Sequence, residues 1–427
     1  MPAKPLLNAP LLNTLRDRRY RDTKSVLVSS PAAGMFAPLC GDSQLNVGIP
    51  LGLGIPNGGI VRFDPFAAYD AKIVTSPNVL VIGSIGRGKS TLVKLLLMRD
   101  GSRPPFIVDP KGEYVPLATA LGWEVVDPVD KGGMDLYGAL PDENIESLVE
   151  RRFLITEPLI AWIRKRPLDE IEQTILRGAF QATALNRDLT IDEVIAVLQS
   201  NTGHTQLPLA NQTELSLRLG LSLAEVSERL GSAIRRPNRV FNWNPLDSPG
   251  VVIDLSRWLQ TSVEVLPIIM QVTIAALQPR LMRPNEQAYL VVDEAWLLLS
   301  DEFSTRWLQR MMKLSRQWGV SVILVSHRAS ELGNQRDDVA ARIAGQIVND
   351  VGVVAIAGLT KDAAASLDGL GISKHEIALV TDTRLMQRGV VLMHLGDRWS
   401  IMRTVLGNTE RELIDTDSAM RLHAAQT

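Results

Sequence analysis

The stretch Asn78–Arg99, NVLVIGSIGRGKSTLVKLLLMR, decides the fold. A short apolar run, Val79 to Ile82, ends at Gly83, and the positions from there fit GxxxxGKS: Gly83, Ser84, Ile85, Gly86, Arg87, Gly88, Lys89 and Ser90, followed by Thr91. Backbone N–H groups must converge on phosphate oxygens, and glycines let the chain turn tightly enough to aim them. Lys89 is then expected to reach the β- and γ-phosphates of ATP and Ser90 to place its hydroxyl on Mg²⁺. The helix opening near Lys89 turns its positive end to the triphosphate. The bland alternative is a glycine-rich turn with an incidental lysine. Against it, strand, loop and amphipathic helix (Leu92, Leu95, Leu96) occur in the order a phosphate loop requires.

Working outward, Phe106 to Val108 is a second apolar strand, ending in Asp109, Pro110, Lys111, Gly112 and Glu113, and Trp123 to Val126 is a third. Strands alternating with helices imply a parallel α/β sheet with its ligands at the carboxyl ends of the strands. From Pro141 to about Pro249 the strand pattern vanishes, and Thr190 with Glu193 and Ser222 with Glu225 read as capping boxes that start helices. We therefore expect an inserted helical domain over 141–249, between parts of a P-loop domain at 71–140 and 250–427. Strands resume at Val251 to Ile253, Tyr289 to Val292, Val320 to Val325 and Val351 to Ala357. Gly389 to Leu395 and Trp399 to Val405 flank Gly396 and Asp397 as a hairpin. Upstream, residues 1–24 read as an exposed charged arm. Residues 25–70, with β-like pieces at Ser25 to Val28 and Ile60 to Phe63, read as a small β-rich lead-in.

Tyr289 to Val292 ends in Asp293 and Glu294, an apolar strand closed by paired acids, the expected partner of a phosphate loop. Asp293 is assigned to the Mg²⁺ shell and Glu294 to orienting or deprotonating the attacking water. Alternatively, the two acids merely cap the helix that follows. His327 comes just after the strand Val322 to Val325 and is a candidate γ-phosphate sensor from the neighbouring strand end, against an ordinary structural histidine. Arg316, in LSRQWG, reaches a neighbouring subunit's phosphate if the chain forms a ring, a contact that supplies about 10³ to 10⁵ in rate. Surface ion pairing is the competing reading. The basic clusters Arg164-Lys165-Arg166 and Arg235-Arg236-Pro237-Asn238-Arg239 either touch nucleic acid or are solvated helix faces.

The chain has 427 residues, 45% hydrophobic content and a net charge of -2, so several domains are expected and no global basic field draws it to nucleic acid or anionic lipid. Cys40 is the only cysteine, which excludes an internal disulfide framework and fits a reducing compartment. The N-terminus lacks a signal peptide's pattern. Val263 to Leu277, the longest apolar stretch, is broken by Glu264, Pro267 and Gln271 and falls short of the ~20 residues of a membrane span. A soluble, cytoplasmic protein is the expectation, with peripheral membrane association open.

The phosphate loop, DPKGEY at Asp109 to Tyr114, VVDEAW at Val291 to Trp296, and SRQWG followed by a polar residue after the next strand together resemble the FtsK/HerA superfamily of ring-forming motor ATPases. Within it the VirB-type conjugation and type IV secretion ATPases are most similar, over roughly residues 47 to 405. The phosphate loop is generic, whereas DPKGEY together with DEAW is more specific to this branch. The resemblance implies a RecA-like core with a helical insertion, an ATP-Mg²⁺ site between subunits of a hexamer, and work with secretion or conjugation apparatus proteins. It supports Lys89 and Ser90 on phosphate and metal, Asp293 on the metal shell, Glu294 as base and Arg316 as a finger acting in trans. It also puts Asp109 to Glu113 beside the nucleotide. Two departures stand out: His327 stands where these relatives usually carry glutamine, and the long N-terminal domain of pilus-assembly ATPases is missing or greatly shortened. Three function classes follow: a motor acting through protein contacts, a DNA-pumping ring, and a scaffold that binds ATP with little turnover. Stimulation by DNA separates the first two, and Glu294 argues against the third.

Overall fold

The computed structural model describes residues 46–56, 58–128, 136–139, 143–200, 209–234, 248–283, 285–299, 302–327, 347, 350–365, 367, 372–396 and 398–414. The strands in chain order are β1 (Ile49–Gly54), β2 (Ile60–Phe63), β3 (Val79–Gly83), β4 (Pro105–Asp109), β5 (Glu124–Val126), β6 (Val251–Asp254), β7 (Ala288–Val292), β8 (Val320–Ser326), β9 (Val353–Ala357), β10 (Val390–Leu395) and β11 (Arg398–Thr404). They form one 11-stranded sheet in the order β2-β1-β11-β10-β9-β3-β8-β7-β4-β6-β5. From β9 to β5 every neighbouring pair is parallel, and from β9 back to β2 every pair is antiparallel.

The parallel strands are continuous apolar runs because helices cover both of their faces. Alternation sorts their side chains to the two faces. Leu80, Ile82, Phe106, Val108, Leu290, Val292, Val322 and Leu324 pack into one core. Val79, Val81, Ile107, Tyr289, Val291, Ile323 and Val325 pack into the other. Each such buried side chain contributes about 1.5–3 kcal/mol.

The helices are α1 (Pro65–Asp70), α2 (Lys89–Asp100), α3 (Val115–Leu121), α4 (Ile145–Arg164), α5 (Glu170–Ala182), α6 (Ile191–Ser200), α7 (Leu209–Leu230), α8 (Ser256–Thr261), α9 (Leu266–Leu281), α10 (Trp296–Leu299), α11 (Glu302–Ser315), α12 (Lys361–Ala365), α13 (Lys374–Thr381) and α14 (Asn408–Ile414). Helices α4 to α7 fall between β5 and β6, where the strand pattern vanishes from the sequence. The Thr190–Glu193 capping box is present, with Thr190 N–H donating to Glu193 Oε2 at 2.7 Å and Glu193 N–H to Thr190 Oγ1 at 3.3 Å.

Two expectations need correction, and a third, on the apolar stretch that ends at Leu277, holds. Ser222 and Glu225 do not start a helix: they lie inside α7, where Ser222 Oγ donates to Arg218 C=O at 2.9 Å and Glu225 pairs with Arg229 at 2.7 Å. The lead-in strands β1 and β2 extend the central sheet, β1 pairing with β11 from Gly52↔Thr404 to Gly54↔Met402. The apolar stretch near Leu277 is α9, packed in the core, and no helix among the described residues is long and apolar enough to cross a membrane. Ser25 to Val28, Cys40 and the Arg235–Arg239 cluster lie outside the described residues.

Two buried polar groups fix the frame around the phosphate loop. Asn78, fully buried before β3, donates from Nδ2 to Met312 C=O and Asp350 C=O, both at 3.2 Å. Its Oδ1 accepts from Ser315 Oγ and Val322 N–H, both at 3.0 Å. The start of β3 is thereby locked to α11 and β8. At the far end of α2, Arg99 pairs with Glu410 of α14, Nε to Oε1 at 2.8 Å and Nη2 to Oε2 at 2.7 Å, and donates to Pro50 C=O and to Val405 C=O.

Candidate active site

The order β3-β8-β7 brings three strand ends together. β3 leads into the phosphate loop, β7 ends just before Asp293 and Glu294, and β8, lying between them, ends just before His327. This is the carboxyl edge of a parallel sheet, where α/β proteins bind ligands.

The loop's glycines are required by geometry. A Cβ on Gly83 would stand 2.0 Å from Ala357 C=O on β9, and Gly88, at φ 97°, caps α2 in the left-handed region. Ser84 N–H donates to Gly358 C=O at 3.0 Å. Beyond it, among the described residues, the N–H groups of Ile85 through Thr91 find no backbone acceptor. They form a row of free donors at a helix N-terminus, the arrangement that receives phosphate oxygens. Lys89 Nζ folds over the loop to Gly83 C=O at 2.9 Å and Ser84 C=O at 3.1 Å, and burial holds its pKa below the ordinary lysine value. Arg87 braces the loop from outside, Nη1 donating to Met386 C=O at 3.1 Å, while its own C=O accepts from Gly389 N–H at 3.1 Å.

Asp293 is buried; its Oδ1 accepts from Glu294 N–H at 2.9 Å, and its Oδ2 is buried without a partner among the described residues. Burial, then the carboxylates of Asp109, Glu294 and Glu113, push its pKa well above the usual range. A buried, orphaned anionic oxygen among other acids suits a cation, and Ser90 stands in the first turn of the helix that the loop feeds. No group of three or more His, Cys, Asp or Glu side chains able to hold a metal occurs among the described residues. The donors the chain itself offers are thus an aspartate and a serine hydroxyl, hard oxygen ligands of the kind Mg²⁺ takes.

Glu294 has a left-handed backbone, φ 51°, unusual for a residue with a side chain. Its Oε1 meets Lys111 Nζ at 2.5 Å; its Oε2 accepts from Trp296 Nε1 and lies 2.7 Å from His327 Nδ1. Burial pushes the carboxyl up, but Lys111, Trp296 and His327 outweigh it and hold its pKa below the usual value. For His327, burial lowers the pKa, Glu294 raises it, and Lys111 and Lys89 add to the lowering.

The DPKGEY segment is shaped from inside. Asp109, fully buried, accepts from Tyr114 N–H at 2.7 Å and Lys111 N–H at 3.2 Å, and burial pushes its carboxyl up to about 6. Lys94 of α2, buried, donates to Glu113 C=O at 2.6 Å and lies 5.1 Å from the centre of the Tyr114 ring. The phosphate-loop helix thus holds the segment that carries Lys111 to Glu294. Sequence reasoning placed this segment near the nucleotide without giving Lys111, Lys94 or Trp296 a part. The signal for Lys94 was a lone cation inside the apolar run LVKLLL, which demands a buried partner.

Arg316 does not join this cluster. It precedes β8, at the amino-terminal edge of the sheet, donates from Nη1 to Thr75 C=O at 3.1 Å, and lines a cavity of about 930 Å³ with Arg103, Arg280, Arg283, Glu286 and Trp318. In the basic cluster that closes α4, Arg164 and Arg166 both pair with the fully buried side chain of Glu172, at 2.5 and 2.6 Å, which ties α4 to α5.

Residues 67–273 match the family model described as the central domain of the helicase HerA. Among solved structures, VirB4 of Thermoanaerobacter pseudethanolicus is similar at a TM-score of 0.67 and 19% identity, over 86% of this chain and 98% of that one. The plasmid coupling protein TrwB in complex with ADP and Mg²⁺ is similar at a TM-score of 0.56 and 14% identity, over 89% and 93% of the two chains. Bound to an ATP analogue, TrwB gives 0.54 and 15%, with the same coverage. No curated protein matches the chain. The fold is that of the RecA-like P-loop ATPases, as in VirB4 and TrwB, and the expected likeness to HerA is borne out over residues 67–273.

Proposed function

We propose that this chain is a Mg²⁺-dependent ATPase that serves as a motor in a conjugation or type IV secretion apparatus, working as a homo-oligomeric ring at the cytoplasmic side. The observation that carries the reading is the convergence, at one sheet edge, of a donor-lined loop, an orphaned buried aspartate and a strained glutamate beside a histidine. Gly83 through Thr91 hold the triphosphate, with Lys89 on its outer phosphates, and Ser90 and Asp293 hold Mg²⁺. The metal, when bound, neutralises charge developing on the phosphates. Glu294 and His327 stand where an attacking water is oriented and deprotonated. Arg316, at the opposite edge from its own phosphate loop, suits a role in trans on a neighbour's nucleotide, which supports the ring.

A second reading, a DNA-translocating ring, is favoured by the match to a helicase domain and the likeness to a coupling protein. The test is an ATPase assay of the purified chain with and without single- and double-stranded DNA, alongside its mass with and without ATP. The expected result is turnover that rises with oligomer formation and is abolished in Lys89→Ala. Arg316→Ala keeps ATP binding and loses about 10³-fold or more in rate. Stimulation by DNA selects the second reading, whereas tight ATP binding without turnover refutes both and leaves a scaffold.

A further inference from the structure

We propose that the arginine-lined cavity at the amino-terminal edge of the sheet is a second phosphate-binding site, with Arg283 and Arg316 as its cations and Glu286 as the acid that an incoming phosphate competes with. The chemistry stands on the cavity alone. Of the two sources of such a phosphate, a free ligand or a nucleotide carried by a neighbouring copy, only the second rests on the ring reading.

Two loops build the cavity. The loop between α9 and β7 turns through Asn285, at φ 62°, and the loop between α11 and β8 turns through Gly319, at φ 68°. A Cβ on Gly319 would stand 2.9 Å from Glu286 C=O, so the loops are pressed together and Arg283, Glu286 and Arg316 border one space of about 930 Å³. The chain's own phosphate loop follows β3, which runs parallel to β8, and so lies at the other edge of the sheet. The seven residues of β8 put it about 20 Å away at ~3.3 Å per residue. A nucleotide held by Gly83 to Thr91 therefore does not reach this cavity.

Among the described residues the charges of the cavity do not close. Arg103 is satisfied: its Nη1 meets Asp64 at 3.0 Å and Asp100 at 2.8 Å, and its Nε donates to Gln287 at 2.9 Å. The other three arginines have one carboxylate in contact. Glu286 takes Arg280 Nη1 on Oε2 and lies 3.7 Å from Arg283 Nη1 on Oε1. Arg280, only 9% exposed and set over the Phe106 ring, keeps a buried Nε with no partner. Arg316 donates to Thr75 C=O at 3.1 Å and makes no ion pair, with Asp350 facing it at longer range. Guanidinium charge held out of water without enough anions is costly, and a phosphate brings both the missing charge and oxygen pairs that match the guanidinium fork. Glu286, 43% exposed, holds Arg283 only through the longer of its two contacts, so Arg283 is the cation an incoming phosphate takes from it.

The test uses the full chain carrying Lys89→Ala, which disables the phosphate loop. Inorganic pyrophosphate is titrated in by calorimetry and by tryptophan fluorescence, with Trp318→Phe as the blank because Trp318 lines the cavity. In that background Arg283→Met is expected to weaken binding by about tenfold or more, and Glu286→Gln to tighten it by about threefold or more. A purely structural pair gives no such opposition, since breaking it from either side then does the same thing. The neighbour source is read with Lys89 intact, from the mass with and without a non-hydrolysable ATP analogue. There Arg283→Met is expected to bind the analogue within about threefold of wild type and to lose the analogue-dependent rise in mass. Opposite shifts in pyrophosphate binding establish a free phosphate as ligand, and loss of the mass rise without pyrophosphate binding establishes the neighbour's nucleotide. The proposal is overturned if pyrophosphate does not bind and Arg283→Met assembles as wild type does, or if the two variants shift binding in the same direction. Should Arg283→Met fail to fold, a Glu286→Gln protein that binds pyrophosphate no tighter than its parent overturns it instead. A wild type that takes the analogue without assembling refutes the ring alone, and the pyrophosphate titration then decides the cavity.

Discussion

Replacing Asn78 by alanine tests the claim that one buried amide holds the phosphate-loop strand in place. The substitution removes four hydrogen bonds, two given by Nδ2 and two received by Oδ1. Ser315 Oγ keeps a second bond, to Met312 C=O at 2.7 Å, so its loss is partial. Val322 N–H, buried at the sheet's centre, is left stranded, costing about 1–3 kcal/mol, and the Asp350 carbonyl loses a donor worth about 1 kcal/mol. With a small cavity adding about 1 kcal/mol, the expected destabilisation is about 3–5 kcal/mol. At roughly 2 °C per kcal/mol for a long chain, Tm falls by about 6–10 °C. Asn78→Asp, nearly identical in shape, is expected to be worse, because a buried carboxylate then faces two carbonyl oxygens. Urea unfolding followed by tryptophan fluorescence, with melting curves alongside, measures both. The reasoning fails if Asn78→Ala stays within about 1 kcal/mol of wild type or if the aspartate variant is no worse than alanine.

Arg99→Met strands Glu410 in a buried site and is expected to cost about 3–5 kcal/mol in urea unfolding, with Arg99→Met/Glu410→Leu recovering much of it. Glu172, held at about 2 against 4.5 by the arginines that outweigh its burial, contributes stability that is fully present above its unfolded pKa and is lost as pH falls toward 2. Allowing for screening at half-exposed Arg166, the contribution is about 1–2 kcal/mol, and Glu172→Gln should flatten the stability profile below about pH 4.5. Asp293→Asn should melt above wild type, since it removes a carboxylate whose pKa burial raises, while Mg²⁺-dependent turnover falls by about 10²-fold or more; a variant that melts lower or keeps its turnover contradicts the assignment.

The strands that carry the site were legible because each is a short, wholly apolar run closed by glycine or acids, as at Val79–Gly83 and Ala288–Val292. Their order in space was not, because nothing local says that β8 inserts between β3 and β7. The same limit explains β1 and β2: a partner some 350 residues away leaves no local trace, so strands of the central sheet read as a separate lead-in. Ser222–Glu225 failed for a different reason. Serine three residues before glutamate is an N-cap only where a helix begins; inside one, the hydroxyl turns back to the preceding carbonyl. In the site, residue types named the phosphate and metal roles, but the meeting of Lys111, Trp296 and His327 on one carboxylate depends on three loops that only the folded sheet brings together.

The clamp at the far end of α2 has a mechanical side. One end of this single helix carries the lysine and serine assigned to the triphosphate, and the other is riveted to the antiparallel wing through Pro50, Val405 and Glu410. An unbroken helix between them couples the two ends as one lever, so a shift at the loop has a direct path to the wing with no hinge inside the helix.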